Sequence, residues 1–97
     1  MSNTKTGIEL IAIERNEQLT KHGRTVEEDA WGNDKFQLAD AAAQLISKPD
    51  NINECVTPHG WDNEYFRKIC FNKPYKQRLI IAGALIAAEI DRLQFEQ

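Results

Sequence analysis

The chain predicts an all-α fold: a small bundle of three to five helices, closed by one long C-terminal helix and assembled as a homo-oligomer. Three observations carry this. Helix-start signatures recur, with Thr6-Gly7-Ile8-Glu9, Thr25-Val26-Glu27-Glu28 and Asp34-Lys35-Phe36-Gln37 each fitting a capping box, in which two side chains satisfy two orphan backbone N–H groups. Breakers separate the helical segments, with Gly23 before the second signature and Pro49, Pro58 and Gly60 after the third. Two segments carry apolar residues on opposite sides of a helical wheel, and a helix apolar all round must be buried all round. A chain of 97 residues makes one domain with one small core, and has few other helices with which to cover both sides.

The first helix is expected over about 7–22, opened by the Thr6 box and stopped at Gly23, which takes the left-handed conformation that ends helices. The Thr25 box starts a single turn. The Asp34 box opens an alanine-rich helix over about 34–47, which stops before Lys48-Pro49 because the residue before proline avoids helical geometry. Residues 48–61 read as a loop. A short helix is expected over about 62–71, and the last over about 74–95, with Pro74 in its first turn. At about 1.5 Å per residue the last helix spans ~30 Å, the width of the domain.

On that last helix Leu79, Ala82, Gly83, Ile86, Ile90 and Leu93 form one stripe, and Ile81, Ala84, Leu85 and Ala88 a second on the other side. The alanine-rich helix repeats the pattern, with Phe36, Ala39, Ala43 and Ile46 against Leu38, Ala41, Ala42 and Leu45. On the first helix the stripe is Ile8, Ile11, Ala12, Arg15, Leu19 and His22. Arg15 therefore interrupts a core-facing surface. It either pairs with an acid such as Asp40 or Glu89, since a lone buried guanidinium costs several kcal/mol, or meets an anionic ligand. His22 suits a helix end, where the dipole favours it.

The net charge of −3 hides two unlike parts. Residues 1–64 hold 6 Lys/Arg against 12 Asp/Glu, and residues 65–97 hold 6 against 3. Between Glu64 and Glu89 there is no acid, while Arg67, Lys68, Lys73, Lys76 and Arg78 lie there. Five of the eight aromatics, Trp61, Tyr65, Phe66, Phe71 and Tyr75, fall within residues 59–78. Aromatic faces stack on bases and cations hold phosphate, so 59–78 reads either as a nucleotide-binding segment or as a plug for the bundle end whose cations stay solvated or pair with the acidic 27–34 segment. The ligand-binding candidates are Arg15, His22, Arg24, Trp61, Tyr65, Arg67, Lys68, Tyr75, Lys76 and Arg78. The chain is too acidic for a dedicated DNA binder.

Other chemistry is thinly represented. Cys55 and Cys70 lie 15 apart with no CxxC, which argues against a zinc site or disulfide framework and for a reduced, cytoplasmic chain. No signal-peptide h-region and no apolar run of about 18 residues is present, so no membrane partner is expected. No P-loop, GxGxxG or GxSxG occurs. Glu14 and Glu17 form an ExxE pair able to share a divalent ion, with Asp40, Glu89 and Asp91 as the only further candidates. No catalytic residue and no cofactor is assigned.

Glu14-Arg15-Asn16-Glu17-Gln18, Lys21-His22-Gly23, Trp61-Asp62 and the run from Ala82 to Leu93 together resemble a group of small phage and prophage all-α proteins. The ERxxQ opening is also similar to MazG-like nucleotide pyrophosphohydrolases. That resemblance implies Mg²⁺ held by Glu14, Glu17, Asp40 and Glu89, although the second helix offers only Asp40 and the last no acid before Glu89. By analogy of size and assembly the chain is similar to phage sponges that sequester nucleotide signals of bacterial immunity, which implies binding without cleavage in the cytoplasm of a bacterial host. A protein-interaction module without a small ligand is the third reading.

Overall fold

The computed structural model describes residues 4–20, 32–47 and 55–95. These form four helices: α1 (Gly7–Thr20), α2 (Gln37–Ser47), α3 (Asn63–Phe71) and α4 (Tyr75–Phe95), and no strand occurs among the described residues. The expected turn after Thr25 lies outside them, as do His22, Gly23 and Arg24.

Local sequence explains most boundaries. Thr6 and Glu9 close the capping box at α1, Thr6 N donating to Glu9 Oε1 at 2.8 Å and Glu9 N to Thr6 Oγ1 at 3.2 Å. The Thr6 backbone N–H, and after it the Thr6 hydroxyl, lower the Glu9 carboxyl pKa from its ordinary value. Asp62 caps α3 by accepting from the backbone N–H of Glu64 and Tyr65. At α4 the Pro74 carbonyl accepts the first helical bond, from Arg78 N.

The start of α2 departs from expectation. The helix begins at Gln37 and not at Asp34, with Phe36 in the left-handed region at φ 63° and its carbonyl accepting from Asp40 N. Gln37 does not reach back to Asp34. Its Oε1 accepts from Lys35 N at 2.7 Å, while its Nε2 donates to the carbonyls of Gly32 and His59. Two turns on, Gln44 exchanges bonds with both backbone groups of Val56. The two glutamines therefore clamp the 55–61 loop along α2, where Gly60 adopts φ 81°.

The core joins α2, α3 and α4. Leu38, Ala41, Ala42 and Leu45 meet Phe66, Ile69, Cys70, Ile81, Ala82, Leu85 and Ala88, with Trp61 and Phe71 packed at its edge. α1 lies on another side of α4. Gly83 makes this possible, since a Cβ there would sit 2.5 Å from Ile11 Cδ1. Contacts advance together along both helices, from Ile11 at Gly83 to Arg15 at Asp91, so α1 and α4 run in the same direction.

The face that α1 turns inward differs from the expected stripe. Its buried residues are Arg15 and Gln18, while Ile8 is 82% exposed and Ala12 is exposed. Glutamine and arginine stems are buried here beside the half-buried Leu10, Ile11 and Leu19. No described helix is long and apolar enough to cross a membrane.

Candidate functional site

A cleft of about 310 Å³ opens where α1, α3 and the first turns of α4 meet, lined by Glu14, Glu17, Tyr65, Lys68, Ile69, Lys73, Gln77 and Ile81. Each wall has a local cause. The helix cap at Asp62 fixes the first turn of α3, from which Tyr65 and Lys68, three apart, share one face. Asn72 ends α3 by donating its N–H to the Lys68 carbonyl, which places Lys73 in the turn at the cleft rim. From α1 come Glu14 and Glu17, also three apart, and Glu14 accepts a long 3.4 Å bond from Gln18. Ile69 and Ile81 supply apolar lining between the charged walls. One side is cationic and aromatic, the other anionic, and Tyr65 remains half exposed.

The cleft thus gathers Tyr65 and Lys68 from the ligand-binding candidates and Glu14 and Glu17 from the metal candidates. Lys73, Gln77 and Ile69 complete it and were not singled out from sequence. Lys73 was visible as one of the five cations of the basic stretch; Gln77 carried no signal.

The remaining candidates are elsewhere. Arg15 is buried and pairs with Asp91 at 3.1 Å, where Asp40 or Glu89 had been expected. Its Nε and Nη1 and the Gln18 Oε1 have no hydrogen-bond partner among the described residues. Arg78 is buried rather than open to a ligand: Nη1 donates to the Leu45 carbonyl at 2.9 Å, and its guanidinium lies 5.2 Å from the Tyr75 ring centroid. It satisfies an orphan carbonyl at the end of α2. Trp61 packs edge-on against Phe66 at 6.0 Å and donates its indole N–H to Asn33 Oδ1. Arg67 is half-buried, its Nε unpartnered among the described residues. Lys76 lines a separate, mostly apolar cleft of about 270 Å³ with Lys5, Gly7, Leu10, Ile11, Leu79 and Ile80.

The expected metal set does not come together. Glu89 receives both Nε and Nη2 of Arg92, at 2.7 and 3.0 Å, in a buried pair on α4. Asp40 accepts from Gln44 on α2. Among the described residues no group of three or more His, Cys, Asp or Glu could gather one ion. The four carboxylates therefore do not fit a shared Mg²⁺.

Cys55 and Cys70 are both buried, the Cys55 thiol donating to the Cys70 sulfur at 3.5 Å. Burial, reinforced by the Cys55 contact, pushes the Cys70 thiol up to about 12, against a weaker opposing pull from Arg78.

No protein-family model, no curated protein and no solved structure matches the chain.

Proposed function

We propose that the protein binds and sequesters an anionic nucleotide-derived ligand in the cleft between α1, α3 and α4, and holds it without converting it. The observation that supports this is the cleft's composition: Tyr65, Lys68 and Lys73 on one side and acceptor-only carboxylates on the other. A ligand matching both walls carries phosphate for the lysines, a planar ring for Tyr65 and N–H donors for Glu14 or Glu17. A nucleotide with an amino-bearing base meets that description. The volume, at the low end of the range for small-molecule sites, suits one nucleotide unit per chain.

The reading extends to a homo-oligomer in which a second copy covers the outer face of α4. Leu79, Ile86, Ile90 and Leu93 lie there, each 39 to 50% exposed. Positions 79, 86 and 93 repeat every seven residues, with 90 between them, the spacing at which one helix packs along another of the same pattern. In the setting that the resemblance implies, such a protein is a phage sponge acting in the host cytoplasm.

The test is to incubate the protein with nucleotides and cyclic dinucleotides, with and without Mg²⁺, and analyse what heat denaturation releases. Intact ligand supports sequestration. Lys68→Ala and Lys73→Ala should each weaken affinity roughly tenfold or more, as expected for a lost charge-assisted bond of about 1.5–3 kcal/mol. Metal-dependent release of pyrophosphate would overturn sequestration in favour of the MazG-like reading, which the placement of Glu14 and Glu17 in one cleft favours. Neither binding nor turnover across the panel leaves the interaction module.

A further inference from the structure

We propose that Cys55 and Cys70 are a modification site: a thiol pair that hydrogen peroxide oxidises reversibly to an intramolecular disulfide, stapling the 55–61 loop to α3. The sequence spacing argued against a disulfide framework, but the fold brings the two sulfurs to 3.5 Å inside the core. A disulfide bond measures about 2.05 Å, so closure needs an approach of only ~1.5 Å.

Both ends are already held in place. Cys70 sits in the last turns of α3, and the residue after Cys55 is bound through both its backbone groups to Gln44 of α2. The loop is therefore presented to α3 in the reduced protein, and the new bond fixes a contact that exists. Both thiols are also buried, which selects the oxidant. Hydrogen peroxide is the oxidant of choice because it is close to water in size, whereas bulky disulfide reagents need the loop to open.

The chemistry balances in two steps. The first attack falls to Cys55, because burial holds the Cys70 thiol protonated. The Cys55 sulfur gives up its proton and attacks a peroxide oxygen; the O–O bond breaks, a sulfenic acid forms and the leaving hydroxide takes that proton as water. The second sulfur then displaces hydroxide from the first; the S–O bond breaks, the S–S bond forms and a second water leaves. Two thiols are oxidised by two electrons, and one peroxide is reduced to two waters. Thiol reductants reverse the change.

Closing the chain between residues 55 and 70 restricts the unfolded ensemble and so raises stability. The closed interval contains Tyr65 and Lys68, which couples the state of the core thiols to one wall of the cleft.

The experiment treats the full chain with limiting peroxide, blocks remaining thiols with N-ethylmaleimide under denaturing conditions, and reads intact mass, peptide map and melting temperature. The expected product has lost about 2 Da, takes up no maleimide, yields a 55–70 cross-linked peptide, melts several degrees higher and reverts with dithiothreitol. Cys55→Ala and Cys70→Ala should instead gain oxygen on the remaining sulfur, with no rise in melting temperature. The reversal by reductant is measured on the unsubstituted chain and so needs neither variant to fold. Two alkylatable thiols left after peroxide, oxygen adducts on either cysteine, or cross-links only between chains would each overturn the proposal.

Discussion

On one side of α4, Ile81, Ala84, Leu85 and Ala88 are buried in or beside the core; on the other, Leu79, Ile86, Ile90 and Leu93 stay substantially exposed. α2 repeats the division, with Leu38, Ala41, Ala42 and Leu45 buried while Ala39, Ala43 and Ile46 remain exposed, as does Phe36 just before the helix. Hydrophobicity alone does not separate the two sides, since the outer residues of α4 are as apolar as the inner ones. Two features do. On α4 the buried Ala82, Ala84 and Ala88 let helices approach closely, although on α2 Ala41 and Ala42 are buried and Ala39 and Ala43 exposed. Polar residues with fixed partners also border the inner sides, as Gln37 does on α2 and Arg78 on α4. An apolar stripe marks a face that favours burial, whereas these bonded polar neighbours mark the face that this chain buries by itself.

Adjacent residues test that distinction most severely. Leu85→Ala should destabilise the fold by about 2–5 kcal/mol, because it empties a closed part of the core. Ile86→Ala, one position along, should stay within about 0.5 kcal/mol for dilute protein. Equal losses in denaturant titrations would erase the contrast between the faces.

Next in size is the polar border of the inner side. Arg78→Met keeps much of the stem but leaves the Leu45 carbonyl without its partner, at a cost of about 1–3 kcal/mol. A Met variant as stable as the parent would show that the guanidinium is not needed to close the end of α2.

Ile86→Glu with Ile90→Glu sharpens the outer side. Folding of the isolated chain should change little, while light scattering should fall from an oligomer to an ~11 kDa monomer. A parent chain that is itself monomeric at micromolar concentration removes the second copy from the proposal.

A last effect appears only in alkali, outside the range in which the other variants are compared. The Cys70 thiol is raised from 9.0 to about 12 in the folded chain, so the fold keeps that contribution below pH 9 and loses it as pH climbs toward 12, where the unfolded chain ionises first. Cys70→Ala should flatten the decline seen in melting temperature above pH 9.

Much of the helical layout was legible, because caps and breakers act over three or four residues. Thr6 with Glu9, Asp62 at α3 and Pro74 at α4 all mark boundaries that the sequence announces. Gln37 was legible as a helix-start residue but not as a clamp, since its second partner is a backbone carbonyl 22 residues away. The α1 stripe was misjudged at Ile8 because a wheel weighs side chains by polarity, while the packing against α4 uses Ile11, Arg15 and Gln18. The cleft was legible only in halves. Tyr65 and Lys68 came from composition and Glu14 with Glu17 from spacing, but nothing local joins residues about fifty positions apart. Among the arginines, Arg78 was misjudged as open to a ligand and Arg15 took its paired alternative; with Arg92 they are interior groups here, while Lys68, Lys73 and Lys76 line clefts. The planar fork of arginine suits buried pairing, and the strongly hydrated ammonium of lysine does not.

The close packing of Ile11 on Gly83, and the Arg15–Asp91 pair beyond it, also set an order of events during synthesis. These partners are 72 and 76 residues apart, so α1 has no docking surface until nearly all of the described chain has been made. At ribosomal rates of about 5–20 residues per second, the helix waits roughly 4–15 s after its own translation. Ile11 lacks its partner at Gly83 throughout that interval. α1 precedes the other described helices in the chain and is thus among the last of them to be secured, and a nascent chain stalled before Gly83 should be open to protease throughout α1.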